Sequence, residues 1–193
     1  IDKLAEDKDF VSAFNEVYAD GLSEKNITDA IQEFEKTLLT PNSRFDRYLK
    51  GQKDAITENE IAGYELFKKY DCATCHVGEI LGGKSYELIG VQHDYFADRQ
   101  AEMTEEANGR FKQTQIERDR HRFKVPGLRN IELTAPYFHD GSMATMDDAV
   151  RAMAKYQLGI DLPQPEVDKI VAFLRTLTGE YKGQLLTNKN MEI

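Results

Sequence analysis

The sequence predicts an all-α fold organised around one five-residue motif. Three observations carry this. Apolar residues recur at helical spacing behind capping residues, most clearly over 57–67 and 163–177. No segment holds the sustained apolar/polar alternation of a half-buried strand. The motif, Cys72-Ala73-Thr74-Cys75-His76, follows directly on one of the helical stretches.

Taken in order, residues 9–17 predict a short helix with Phe10, Phe14 and Val17 on one side. Asn26 or Thr28 is the expected cap of a second helix carrying Ile27, Ile31, Phe34, Leu38 and Leu39, which Pro41 stops. Ser43 caps a shorter helix through Phe45, Tyr48 and Leu49, closed by Gly51. Thr57 and Glu60 form a capping box ahead of Ile61, Tyr64, Leu66 and Phe67, and this helix leads into the motif. Residues 77–122 are loop-like, punctuated by Gly78, Gly82, Gly83 and Gly90. The stretch 94–108 is polar. Residues 123–141 form an irregular segment too apolar to stand in water, with Val125, Leu128, Ile131, Tyr137 and Phe138. Ser142 or Thr145 caps a helix through Val150, Met153 and Tyr156 that Gly159 closes. Pro163 and Pro165 open the last helix, with Val167, Ile170, Val171, Leu174 and Leu177 as its stripe and Gly179 as its end.

Two thiols three residues apart can each add to a vinyl group of one porphyrin, and the adjacent His then reaches the iron as an axial ligand. This is the pattern of covalent c-type haem attachment. A thiol–disulfide centre would need a βαβ setting that the sequence lacks. A zinc site would be one ligand short. Both Cys of the chain, Cys72 and Cys75, are spent in the motif, so no structural disulfide is available.

A low-spin haem needs a sixth ligand. The downstream candidates are Met103, Met143, Met146, Met153, Met191, His93, His121 and His139. Met153 leads on pattern, since it shares a helical face with Val150 and Ala154, although a Met there is almost as well explained as core. His139 is the best-placed His. Six basic residues, Arg110, Lys112, Arg118, Arg120, Arg122 and Lys124, are candidates to neutralise haem propionates.

The net charge of -9 argues against nucleic-acid binding. Ten acidic residues against four Lys in the first 36 supply most of it and read as a solvated helix face. No apolar run is long enough to span a membrane. The chain opens Ile1-Asp2-Lys3-Leu4 without a leader, and is expected to be a mature or trimmed chain or part of a longer one. Covalent haem points to export from the cytoplasm, hence to the periplasm.

Several blocks carry a family resemblance. They are Ala30-Ile31-Gln32-Glu33-Phe34-Glu35-Lys36-Thr37-Leu38, Thr40-Pro41-Asn42-Ser43-Arg44-Phe45-Asp46, Gly63-Tyr64-Glu65-Leu66-Phe67 before the motif, Phe123-Lys124-Val125-Pro126-Gly127-Leu128-Arg129-Asn130, and Leu133-Thr134-Ala135-Pro136-Tyr137-Phe138-His139-Asp140-Gly141. The chain resembles the C-terminal part of a bacterial dihaem cytochrome c peroxidase, in the family that includes the MauG-like proteins. The resemblance implies a class I cytochrome c-like haem domain over 57–193, preceded over 1–56 by a linker and helices of a neighbouring N-terminal haem domain. It implies that His76 and Met153 are the axial ligands of an electron-accepting haem. It implies that a calcium ion takes backbone carbonyls from Thr134 and Pro136. The peroxidatic haem would belong to the N-terminal domain, so this chain alone is expected to be inactive as a peroxidase. The implied donors are a small cytochrome c or a cupredoxin, and a homodimer is a further expectation. A free-standing monohaem carrier and a MauG-like oxidase are the competing readings.

Overall fold

A computed structural model describes residues 1–99 and 104–189. Met103 and Met191, two of the ligand candidates, lie outside the described residues. The chain divides into two compact units, Ile1–Leu39 and Thr40–Ile193.

The first unit holds α1 (Asp2–Ala5), α2 (Lys8–Val17) and α3 (Glu24–Lys36). Asp7 caps α2 by accepting from Phe10 N–H at 2.9 Å. Phe14 stacks on Tyr18 with centroids 4.7 Å apart. The cap of α3 is Ser23, not Asn26 or Thr28. Asn26 is instead buried, its amide donating to Asp20 Oδ1 and Gly21 O, both at 2.8 Å. An Asn that can satisfy a preceding turn is worth more there than at a helix end it does not reach.

The second unit is built on a helix pair, α5 (Glu58–Lys69) and α9 (Gln164–Arg175), with α4 (Arg44–Leu49) against one end. The expected capping box of α5 (Thr57 with Glu60) forms, and Ser43 caps α4 as expected, with Asp46 completing a second box. The two helices cross closely because Gly63 has no side chain: a Cβ there would stand 1.9 Å from Lys169 O. Phe45, Tyr64, Phe67 and Phe173 fill the crossing, with Phe45 and Phe173 centroids 5.1 Å apart edge to face. Phe173 and Val167 are fully buried.

Short elements follow in the connection: β1 (Tyr86–Leu88), α6 (Tyr95–Arg99), α7 (Phe111–Thr114) and β2 (Arg122–Lys124). Strands β1 and β2 pair antiparallel, Glu87 opposite Phe123. A second pair, β3 (Glu180–Tyr181) and β4 (Gln184–Leu185), forms in the C-terminal stretch. The fold is therefore helix-rich but not purely helical. Three- and two-residue strands are too short for alternation to register. Within the polar stretch 94–108, Tyr95 is fully buried, its hydroxyl 3.0 Å from Ser142 Oγ.

Helix α8 (Met146–Met153) is capped by Thr145 with Asp148 and passes into a π-helical turn, Ala154–Leu158, ended by Gly159 at φ +71°. The last helix stops at Arg175, not at Gly179. Thr176 continues as a capping residue, its hydroxyl donating to Phe173 O at 2.6 Å.

Arg129 joins distant parts of this unit. It forks onto Asp46 of α4 at 2.7 and 2.8 Å, while its Nε–H donates to Glu79 O at 2.7 Å. Burial pushes the Asp46 carboxyl up, but the hydrogen bonds from Arg129 and Ser43 outweigh it and leave the folded pKa below the ordinary value. Such a group stabilises the fold above its unfolded pKa, and that contribution is lost as pH falls through the folded one. The melting midpoint is therefore expected to decline below about pH 4, and Asp46→Asn to flatten part of that decline in thermal scans. An identical slope in the variant would take the pair out of the acid response.

Candidate haem-attachment site

Helix α5 delivers the motif. It ends at Tyr70, and Asp71 takes a left-handed conformation at φ 53° that an Asp tolerates better than a branched residue. The chain then enters the tight turn Cys72–Thr74, closed by His76 N–H donating to Cys72 O at 3.1 Å. One turn thus carries both thiols and the imidazole.

Both cysteines are free thiols. Burial pushes the Cys72 pKa up to about 11 and raises that of Cys75, to which the Glu87 charge adds. The thiolate needed for disulfide exchange is disfavoured at both. Among the described residues, no three His, Cys, Asp or Glu side chains converge as a metal cluster.

His76 is held from outside the motif. Its Nδ1 lies 3.1 Å from Leu81 O, and the Pro126 carbonyl is also within bonding reach of the ring. Burial pushes its pKa down against the pull of both carbonyls, leaving a neutral imidazole. A carbonyl can only accept, so Nδ1 carries the hydrogen and Nε2 keeps its lone pair for a metal. The loop geometry depends on Gly82, whose φ is +146° and whose missing Cβ would stand 2.0 Å from Pro126 O. Gly83 N–H donates to Val125 O at 2.7 Å and Leu128 N–H to Ile80 O at 2.9 Å, tying 80–83 to 125–128. These carbonyl partners were not legible from the motif. The glycine pair and Pro126-Gly127 were the only hint in the sequence.

The apolar segment 123–141 is buried in part, with Val125, Leu128 and Tyr137 at 6–8% exposure. Cys72, Ala73, Leu81, Ile131, Phe138, Met143 and Val150 pack around the core beside it. Two free thiols and a metal-ready imidazole on one turn, beside an apolar surface, fit a covalently held haem.

The other candidates are distributed as follows. Met153 is half-buried at the last residue of α8, where the α-helix becomes the π turn. Met146 is buried in the first turn of α8, and Met143 exchanges backbone hydrogen bonds with Tyr137. His121 Nδ1 is 2.7 Å from Ala107 O, and its ring lies 4.3 Å from Phe96. His139 is exposed and stacks on Phe123 at 4.4 Å. Thr134 and Pro136 are exposed and flank the cis Ala135–Pro136 bond, with Thr134 Oγ1 donating to Ile131 O at 3.2 Å. Of the six basic residues, Arg110 pairs with Asp119, Arg120 with Glu117 and Lys112 with Glu106.

A sequence model described as di-haem cytochrome c peroxidase matches residues 1–54. Cytochrome c peroxidase Ccp of Escherichia coli is 52% identical over 181 residues, covering 94% of this chain and 38% of the relative. Cytochrome c551 peroxidase of Nitrosomonas europaea is 48% identical over 168 residues, covering 86% and 48%. The chain belongs to the dihaem cytochrome c peroxidase and MauG family. The chain spans half or less of the length of these two relatives. Methylamine utilization protein MauG of Methylophilus methylotrophus is more distant, at 26% identity over 183 residues, covering 88% of this chain and 51% of the relative. A solved MauG-like protein associated with microbial copper homeostasis shares the fold, with a TM-score of 0.72 and 27% identity over 92% of this chain and 61% of that one. Membership in the dihaem cytochrome c peroxidase and MauG family implies haem c as the prosthetic group, which agrees with the chemistry of the turn. No helix among the described residues is long and apolar enough to cross a membrane.

Proposed function

We propose that this chain is the electron-accepting, His/Met-ligated haem part of a periplasmic dihaem cytochrome c peroxidase. The whole protein would reduce hydrogen peroxide, which takes up two electrons and two protons to give two waters, with electrons from a small cytochrome c or a cupredoxin. The observation that supports this best is the single Cys-x-x-Cys-His turn in a chain about half-identical to named peroxidases.

Bound haem c supplies reversible one-electron chemistry. The chain's own residues have separable tasks. Cys72 and Cys75 anchor the porphyrin as thioethers. His76 would hold the iron through Nε2, its ring hydrogen-bonded to the Leu81 and Pro126 carbonyls. Met153, placed where α8 passes into a π turn of the kind often found at functional sites, would offer its thioether to the iron. In this reading residues 57–193 form a class I cytochrome c-like domain, and 1–56 the linker with helices of the peroxidatic domain. Thr134 and Pro136 carbonyls would serve a calcium ion shared with that domain.

Met153→Ala in the haem-loaded protein is expected to abolish the low-spin His–Met absorption spectrum. An unchanged spectrum would remove Met153 from the iron. Peroxide turnover by this chain alone, with reduced cytochrome c as donor, is expected to be absent. Robust turnover would overturn the division of labour between two haems.

A further inference from the structure

A second site lies away from the Cys-x-x-Cys-His turn. A cavity of about 270 Å³ is lined by Tyr86, Arg110, Arg118, Asp119 and Arg122. Three arginines therefore line one concavity, in a chain whose net charge is -9.

Two of the three are fixed. Arg122 Nε–H donates to Arg118 O at 2.9 Å and Nη1–H to Tyr86 O at 3.3 Å, so backbone carbonyls aim its fork. Arg110 Nε is 3.3 Å from the buried carboxylate of Asp119, and its guanidinium sits 4.8 Å from the Tyr86 ring centroid. Its backbone is pinned as well, with Arg110 N–H donating to Arg122 O at 2.8 Å. Arg118 is exposed, and its guanidinium has no ion pair or side-chain hydrogen bond among the described residues.

The charges do not balance within the cavity. Asp119 is the one carboxylate lining it, against three arginines. Glu87 approaches Arg122 only at 3.6 Å, and Glu117 is taken by Arg120 at 2.5 and 2.8 Å. Like charges gathered in a concavity repel one another, and the fold carries that cost unless an anion offsets it. Arginine forks match oxyanions bidentately, which sets the ligand class.

We infer that this cavity binds a small free oxyanion of the phosphate class, held by Arg110, Arg118 and Arg122. The inference does not rest on the peroxidase reading, since it uses no residue of the haem-binding turn.

The test is calorimetric titration of the haem-loaded protein with inorganic phosphate at constant ionic strength, with chloride as the control anion. Saturable one-site binding of phosphate is expected. Arg118→Gln should weaken it about tenfold or more, because one charge-assisted contact is lost. Arg118 makes no stabilising side-chain contact, so this variant should fold, and an unchanged visible spectrum checks that it does. Lys84→Gln, a basic residue away from the cavity lining, should leave the affinity unchanged. Absence of saturable binding, binding equal to that of chloride, or equal affinity in Arg118→Gln would each overturn the inference.

Discussion

Gly63→Val is expected to lower the thermal midpoint by about 10 °C, from a loss of roughly 3 kcal/mol. Gly63 is where α5 crosses α9, and its Cβ would stand 1.9 Å from Lys169 O and 3.0 Å from Phe173 Cβ. The obstacle is backbone, so no rotamer change relieves it. The helices must separate, and the interlock of Phe45, Tyr64, Phe67 and Phe173 loosens with them. Gly63→Ala should do less harm, because alanine returns about 1 kcal/mol of helix propensity. Gly51→Ala is a useful contrast: its φ of +105° makes it strained, yet nothing lies within 4 Å of its missing Cβ. Scanning calorimetry of the haem-loaded variants would decide the point. A Gly63→Val midpoint within about 2 °C of the parent would mean the crossing is not the support we take it to be.

The double change Cys72→Ser, Cys75→Ser should reduce covalently bound haem to background, read by haem staining after denaturing electrophoresis. Serine keeps the size of the side chain but cannot form the thioether. His76 would remain with its Nδ1 held by Leu81 O at 3.1 Å, so some haem could still bind reversibly. The chromophore should then be extractable into acidified organic solvent, whereas in the parent it stays with the polypeptide. Single changes should retain one thioether and an intermediate yield. Haem-stained polypeptide persisting in the double variant would overturn the assignment of these two thiols.

How much of this could be read without coordinates follows from the range of each interaction. The capping boxes at Ser43, Thr57 and Thr145 involve residues three apart, and all three form. Where the local rule failed, a competitor lay just outside its window: Asn26 is drawn to Asp20 and Gly21, and Ser23 takes the cap. The turn at Cys72–Thr74 is equally local, because the chemistry it serves needs two thiols and an imidazole within five residues.

Other features join residues far apart in sequence. Arg129 meets Asp46 across 83 positions, Glu87 pairs with Phe123, and the cavity gathers Tyr86 with arginines at 110, 118 and 122. No periodicity announces such partners. Of the basic run that reads as candidate propionate contacts, the fold takes Lys112 and Arg120 into ion pairs with Glu106 and Glu117, while Arg110, Arg118 and Arg122 line the cavity. The tautomer of His76 is decided in the same way, by carbonyls of Leu81 and Pro126 that carry no side-chain signature.

The sequence by itself determined the helix-rich class, the cap positions at Ser43 and Thr57, and the turn that presents Cys72, Cys75 and His76, and it narrowed the α8 cap to Ser142 or Thr145. Each of these depends on backbone and side-chain contacts within one or two helical turns. Only the tertiary structure decided the close α5–α9 crossing at Gly63, the hold on His76, the π turn after Met153 and the arginine cavity. Those arise when distant segments compete for the same space and the same hydrogen bonds, and that competition is settled by packing in three dimensions.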